Sequence, residues 1–158
     1  MTESIVAYYE SPIGWIYLIG KEGSITSMDF VKEGEKIPPS PVHLPVWMWE
    51  AVKQVDEYFN KKRQTFSFSV KPEGTPFQQA VWKALLTVPF GEIQTYQYIV
   101  RTMGRTKGAR AVGQAIGKNP LLILVPCHRI IGSNGRLTGF TSGLFRKEWL
   151  LTHEGKEV

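Results

Sequence analysis

Lys71-Pro72-Glu73-Gly74-Thr75-Pro76-Phe77-Gln78 is where the texture of this chain changes. Just upstream, Thr65-Phe66-Ser67-Phe68-Ser69-Val70 alternates polar and apolar residues, which predicts a strand. Downstream, Thr75 and Gln78 have the spacing of a capping box, with Pro76 at the first helical position and an apolar stripe through Val81, Trp82, Leu85 and Leu86. Pro89-Phe90-Gly91 closes that helix. The fold class is therefore mixed α+β, with a strand-rich domain over 1–72 and a helical domain over 73–158.

On the N-terminal side, Ser4–Glu10, Trp15–Lys21 and Ser24–Val31 are rich in Ile, Val, Tyr and Phe. Turn signals at Ser11-Pro12-Ile13-Gly14 and Glu22-Gly23 separate them, so they read as an antiparallel meander. After a Pro-containing connector over 34–45, Met48, Ala51, Val52, Val55, Tyr58 and Phe59 recur at helical spacing. The five tryptophans and eight phenylalanines of the chain read mainly as core.

On the C-terminal side a short helix is expected from Thr95 to Met103 and another from Ala109 to Lys118, joined by Gly104-Arg105-Thr106-Lys107-Gly108. That is a helix-turn-helix arrangement. The second helix is nearly bare, with Gly108, Ala109, Ala111, Gly113, Ala115 and Gly117. Glycine inside a helix costs about 1 kcal/mol relative to alanine, so thinness must serve something. Either the helix packs closely against a neighbour, or it enters a narrow groove with Arg110 as its one long side chain.

The charge map favours the groove. The formal net charge is +5, but residues 1–74 hold eight Lys/Arg against ten Asp/Glu, and residues 75–158 hold eleven against four. No carboxylate occurs between Glu92 and Glu148, a stretch carrying Arg101, Arg105, Lys107, Arg110, Lys118, Arg129, Arg136, Arg146 and Lys147. A polyanion is the natural partner of such a stretch. One cysteine cannot form an internal disulfide, no zinc-ligand spacing exists, and no apolar run approaches a membrane span. A cytoplasmic monomer without membrane association, metal or cofactor is the expectation.

That one cysteine, Cys127, sits in Leu124-Val125-Pro126-Cys127-His128-Arg129-Ile130-Ile131, beside an imidazole and a guanidinium. Positive charge or a base nearby is what holds a nucleophilic thiol as thiolate. The apolar run over 121–125 predicts a buried strand or extended segment leading into it. In an extended segment Cys127 and His128 point to opposite faces, so a kink after Pro126 or a bridging water is needed for His128 to take the thiol proton. The rival readings are a cysteine hydrolase using Cys127 with His43 or His153, a helix-turn-helix regulator with a redox thiol, and a non-catalytic binding protein, against which Cys127 argues directly.

Pro126-Cys127-His128-Arg129-Ile130 resembles the active-site signature of the O6-alkylguanine-DNA alkyltransferases. Pro89-Phe90-Gly91-Glu92 with Thr95-Tyr96, Ala109-Arg110-Ala111-Val112-Gly113, Asn119-Pro120, and Lys147-Glu148-Trp149-Leu150-Leu151 through His153-Glu154-Gly155 fall in the family's order. The resemblance covers about residues 75–155 and extends more loosely to Ser11-Pro12-Ile13-Gly14. It implies a ribonuclease H-like N-terminal domain and a winged helix-turn-helix C-terminal domain.

The same resemblance implies DNA repair by direct damage reversal. Cys127 would attack the alkyl carbon on O6 of guanine, with O4-alkylthymine a further candidate, and would keep the group as a thioether, once per chain. His128 would be the base, Glu154 its orienting carboxylate, Asn119 the support of the turn, and Tyr96 a donor to N3 of the base. Val125, Ile130, Phe140 and Thr141 would complete the substrate pocket, Phe140 standing where some relatives carry tyrosine. Double-stranded DNA would be held through its minor groove, with weak sequence selectivity, by Thr95, Lys107, Ala109, Arg110, Ala111, Gly113 and Gln114. Arg110 would fill the space of the flipped nucleotide. The N-terminal zinc site of some relatives lacks its cysteine ligands here.

Overall fold

Strands β1 (Ile5–Ser11), β2 (Gly14–Lys21) and β3 (Ser24–Phe30) form an antiparallel sheet in chain order. They belong to a computed structural model that describes residues 3–39 and 43–156. The first turn places Gly14 at φ 125°, and the Ser11 hydroxyl bonds both the Gly14 carbonyl and the Ile13 N–H. Along β2, Ile16, Leu18 and Gly20 are buried while alternate residues are less so, the period-2 pattern of a sheet with one covered face.

Helix α1 (Val46–Phe59) contacts β1 and β3 and buries Met48, Ala51, Val55, Tyr58 and Phe59, one face at helical spacing. Gly20 makes room for it: a Cβ there would stand 2.7 Å from the Trp47 ring.

The expected strand over 65–70 does not form. Only Val70 bridges, in parallel, to Ile25. Buried Gln54 takes the polar groups a strand would have used, accepting from the Ser67 N–H and donating to the Ser67 hydroxyl. Phe66 meets Tyr58 at 5.7 Å and Phe68 at 5.8 Å between ring centroids, so aromatic packing replaces a ladder.

The chain divides into two compact units, Met1–Pro72 and Glu73–Val158. The second starts with α2 (Pro76–Leu85), whose capping box is complete: the Gln78 N–H reaches the Thr75 hydroxyl and the Thr75 N–H reaches the Gln78 side chain. Strand β4 (Gln94–Thr95) leads into α3 (Tyr96–Thr102), capped by Thr95, and Gly104 and Gly108 at positive φ turn the chain into α4 (Ala109–Gly117). Trp82 Nε1 donates to the Ala115 carbonyl at 2.9 Å, tying α2 to α4.

The apolar run over 121–125 is buried, yet it is a tight turn rather than a strand. Leu122 bridges Val125, and Ile123 has φ 73°, an outlying conformation for a β-branched residue. A 3-10 turn at Cys127–Arg129 follows, then β5 (Ile130–Ile131), which pairs in parallel with β4. That pairing brings the cysteine turn to the start of α3. Helix α5 (Leu144–His153) ends at Glu154. Among the described residues no helix is long and apolar enough to cross a membrane.

Candidate active site and nucleic-acid interface

Asn119 explains how a strained turn of apolar residues persists. Its side chain donates to the Val125 carbonyl at 2.9 Å and the Leu121 carbonyl at 3.4 Å, and accepts from the Leu121 N–H at 2.9 Å. The Leu121 and Val125 carbonyls also accept backbone N–H groups, from Val125 and Cys127 respectively, so the buried amide adds a second donor to each and gives the Leu121 N–H its acceptor. Strain held in this way marks a functional neighbourhood.

Beyond the turn, the kink that follows Pro126 is the 3-10 turn, in which Cys127 and His128 are both buried. His128 Nε2 lies 2.8 Å from Glu154 Oε2. Glu154 also receives a fork from Arg129, with Nε 2.7 Å from Oε1 and Nη2 3.0 Å from Oε2, while Nη1 donates to the Val88 carbonyl at 2.8 Å. Gly91, at φ 82°, lets the Pro89-Phe90-Gly91 turn approach the backbone of Glu154, where a Cβ would stand 3.2 Å from the carbonyl.

These contacts assign the protons. Burial alone would push the Glu154 carboxyl up, but the hydrogen bonds from His128 and Arg129 and the Arg129 charge outweigh it and hold it well below the usual carboxylate range. Glu154 is a carboxylate, so His128 Nε2 carries a proton and donates it. Burial pushes His128 down against the pull of Glu154, so the ring is neutral and Nδ1 keeps a lone pair. That Nδ1 is buried without a hydrogen-bond partner among the described residues. The site therefore holds a proton acceptor next in sequence to a buried thiol.

A cleft of about 770 Å³ opens where the starts of α3 and α4 face residues 132–139, and neither Cys127 nor His128 lines it. Thr95, Tyr96, Ala109, Arg110, Gly113 and Gln114 line one side, and Gly132, Ser133, Thr138 and Gly139 the other. The Tyr96 hydroxyl is 2.6 Å from Thr138 Oγ1. Val125 and Ile130 are core residues flanking the cysteine turn, Phe140 is half-buried, and the Thr141 hydroxyl donates to the Gly117 carbonyl; none of these four lines the cleft. Lys107 and Ala111 are exposed on or just before α4. His153, a rival base, is stacked on Trp149 at 4.9 Å, and His43 lies in the first unit.

The glycines of helix α4 are not explained by packing against a neighbour. A Cβ on Gly113 would meet only the Tyr96 ring at 3.7 Å, an ordinary contact, and one on Gly117 would meet nothing within 4 Å. Internal packing does not require these glycines. Val112, Ala115 and Ile116 face inward, while Ala109, Arg110, Ala111, Gln114 and Gly117 are exposed.

Two family profiles match this chain: the DNA binding domain of 6-O-methylguanine DNA methyltransferase over residues 76–156 and the ribonuclease-like domain over 5–72. The chain belongs to the 6-O-methylguanine DNA methyltransferase family. A methylated-DNA–protein-cysteine methyltransferase of Methanosarcina acetivorans is 46% identical over 151 residues, covering 94% of this chain and 97% of the relative. A variant of the Mycobacterium tuberculosis O6-methylguanine methyltransferase superposes with a TM-score of 0.85 at 39% identity, covering 99% of this chain and 95% of that one. Mycobacterium tuberculosis OGT in complex with DNA gives 0.84 at 40% identity, covering 94% and 91%.

Within this 6-O-methylguanine DNA methyltransferase fold, two cations of the carboxylate-free stretch do not face outward: Arg129 and Lys147 are both buried, Lys147 with 1% of its surface exposed. Arg129 is the partner of Glu154; Lys147 donates from Nζ to the Thr138 carbonyl at 3.1 Å. The signal was available for Lys147, which stands at a buried position of the α5 pattern, three residues before Leu150 and four before Leu151.

Proposed function

We propose that this chain repairs alkylated DNA by direct reversal, transferring the alkyl group from O6 of guanine to Cys127 in a single turnover. The carrying observation is the neutral, buried His128, oriented by Glu154 and immediately after the chain's one cysteine, in the same unit as an exposed, side-chain-poor helix. The relatives' name, methylated-DNA–protein-cysteine methyltransferase, describes the same chemistry.

His128 Nδ1 takes the thiol proton through a bridging water, and Glu154 steadies the imidazolium that forms. Sulfur attacks the alkyl carbon, the carbon–O6 bond breaks, and the electron pair passes into the guanine ring. Tyr96, in the cleft wall, exchanges its bond with Thr138 for one to N3 and offsets that charge. The product thioether has no carbonyl for water to attack, so the sulfur is not regenerated. Asn119 keeps the cysteine turn in place.

O6 is inaccessible in a stacked duplex, so the base is flipped at a cost of about a few kcal/mol. The bare face of α4 suits a minor groove about 6 Å wide, and Arg110 fills the vacated stack. Contacts go mainly to phosphate and sugar, which gives weak sequence selectivity and strong salt dependence. The protein acts as a monomer. The test is a duplex carrying labelled O6-methylguanine: label on protein rises to one methyl per chain and stops, and Cys127→Ala abolishes it. Continued turnover would overturn the reading.

A further inference from the structure

Thr138 reaches across the cleft to Tyr96, its Oγ1 2.6 Å from the phenol oxygen. The segment that carries Thr138 is folded back on itself: the Gly132 N–H donates to the Arg136 carbonyl at 3.0 Å, and the Arg136 N–H donates to Asn134 Oδ1 at 3.1 Å. Gly132 leaves the room this needs, since a Cβ there would stand 2.9 Å from Asn134 Oδ1 and 3.3 Å from the Thr138 methyl. The Thr138 carbonyl in turn accepts from Lys147 Nζ at 3.1 Å. On the other wall Tyr96 is the first residue of α3, and its ring edge lies against Gly113 of α4, where a Cβ would come to 3.7 Å. Both residues are held from behind, and their hydroxyls meet between the walls.

A hydroxyl pair has two protons and can bond in either sense, because each oxygen both donates and accepts. In the free protein Tyr96 donates to Thr138. With a flipped guanine in place the Tyr96 proton is needed at N3, and the phenol oxygen then becomes an acceptor with a hydroxyl already 2.6 Å away. Thr138 turns its own proton to that oxygen. The bonds from Thr138 to Tyr96 and from Tyr96 to N3 then run in one direction, and hydrogen bonds in series polarise one another. The last bond therefore strengthens as negative charge builds on the base. Only two O–H rotors turn, so the donor is organised before the charge develops.

We propose that Thr138 is a positioning residue for the transfer reaction, donating to the Tyr96 hydroxyl oxygen so that the Tyr96 proton faces N3 of the flipped base. The inference rests on the alkyl-transfer reading, with Tyr96 as the donor to the base. Sulfur forms the new S–C bond, the C–O6 electron pair passes to guanine, and guanine takes up the proton that left the thiol. Both hydroxyl protons stay on their own oxygens throughout.

Single-turnover rates of the full chain with free O6-benzylguanine read this step without DNA docking. Thr138→Val has the shape of threonine without its hydroxyl, and it slows transfer about three- to tenfold, the worth of one hydrogen bond. Thr138→Ala adds no atom and repeats that loss should the valine variant not fold, while Thr138→Ser keeps the hydroxyl and stays within about twofold of the wild type. Tyr96→Phe removes the link between Thr138 and the base, so in that background Thr138→Ala changes the rate by less than about twofold. A serine variant as slow as the alanine variant, or an equal loss from Thr138→Ala with and without the Tyr96 hydroxyl, would overturn the proposal. Tyr96→Phe at the wild-type rate would overturn it as well, by removing Tyr96 as the donor. Absence of methyl transfer from an O6-methylguanine duplex to the wild type would instead sink the alkyl-transfer reading itself.

Discussion

The buried ionic cluster sets how this protein responds to single substitutions. Arg129→Met takes the guanidinium fork from the buried Glu154 carboxylate, and breaking such a pair costs about 3–5 kcal/mol. Chemical denaturation of the variant checks this, and a loss under 1 kcal/mol would contradict the fork's role. The sign of the acid response follows from two depressed groups. His128 is held below its unfolded value of about 6.5 and Glu154 below about 4.3. Both contribute stability that is present above those values and is lost as pH falls below them, in two stages. Glu154→Gln removes the later stage, so its stability curve between pH 4 and pH 2 is flatter than the wild type's. The roles of these residues were only partly legible from sequence. Cys127 and His128 declare themselves by adjacency, whereas Arg129 and Lys147 look like surface charge until the fold buries them.

Elements were readable where local chemistry agrees with tertiary packing. The Thr75–Gln78 capping box, the Gly14 and Gly23 turns and the two short helices about Gly104–Gly108 form as their residues dictate. Two segments did not, for a shared reason: a side-chain amide bonds their backbone in place of a ladder. Gln54 takes the backbone of Ser67 from 13 residues away, and Asn119 that of Leu121 and Val125 from just before the run. Alternation and apolarity within a segment do not announce such an amide. Helix α4 yields a prediction at this scale. Gly117→Leu leaves folding intact or improved, since its Cβ meets open space, and leaves reaction with free O6-benzylguanine unchanged. Repair of duplex DNA falls by tenfold or more, because the added side chain stands on the exposed face. Equal rates on both substrates would show that this face does not meet DNA.

For the molecule as a whole, the proposed function divides between a buried centre and the exposed face of α4. Arg110→Ala, on the exposed wall of the cleft, is expected to slow duplex repair far more than reaction with the free base, and raising salt is expected to slow the wild type on duplex only. Equal losses on both substrates would remove Arg110 from base extrusion. The α+β class and the helix-turn-helix were legible because each depends on patterns within about 40 residues. The ionic centre was not, because it joins Val88, Arg129 and Glu154 across the second unit. The most direct measurement incubates the intact protein with an excess of O6-methylguanine duplex and follows its mass, with peptide mapping. One added methyl, confined to the peptide containing Cys127 and accompanied by one guanine restored per chain, is the expected result. Demethylated DNA in excess of protein, or a methyl placed on any other residue, would contradict the assignment of Cys127 as the terminal acceptor.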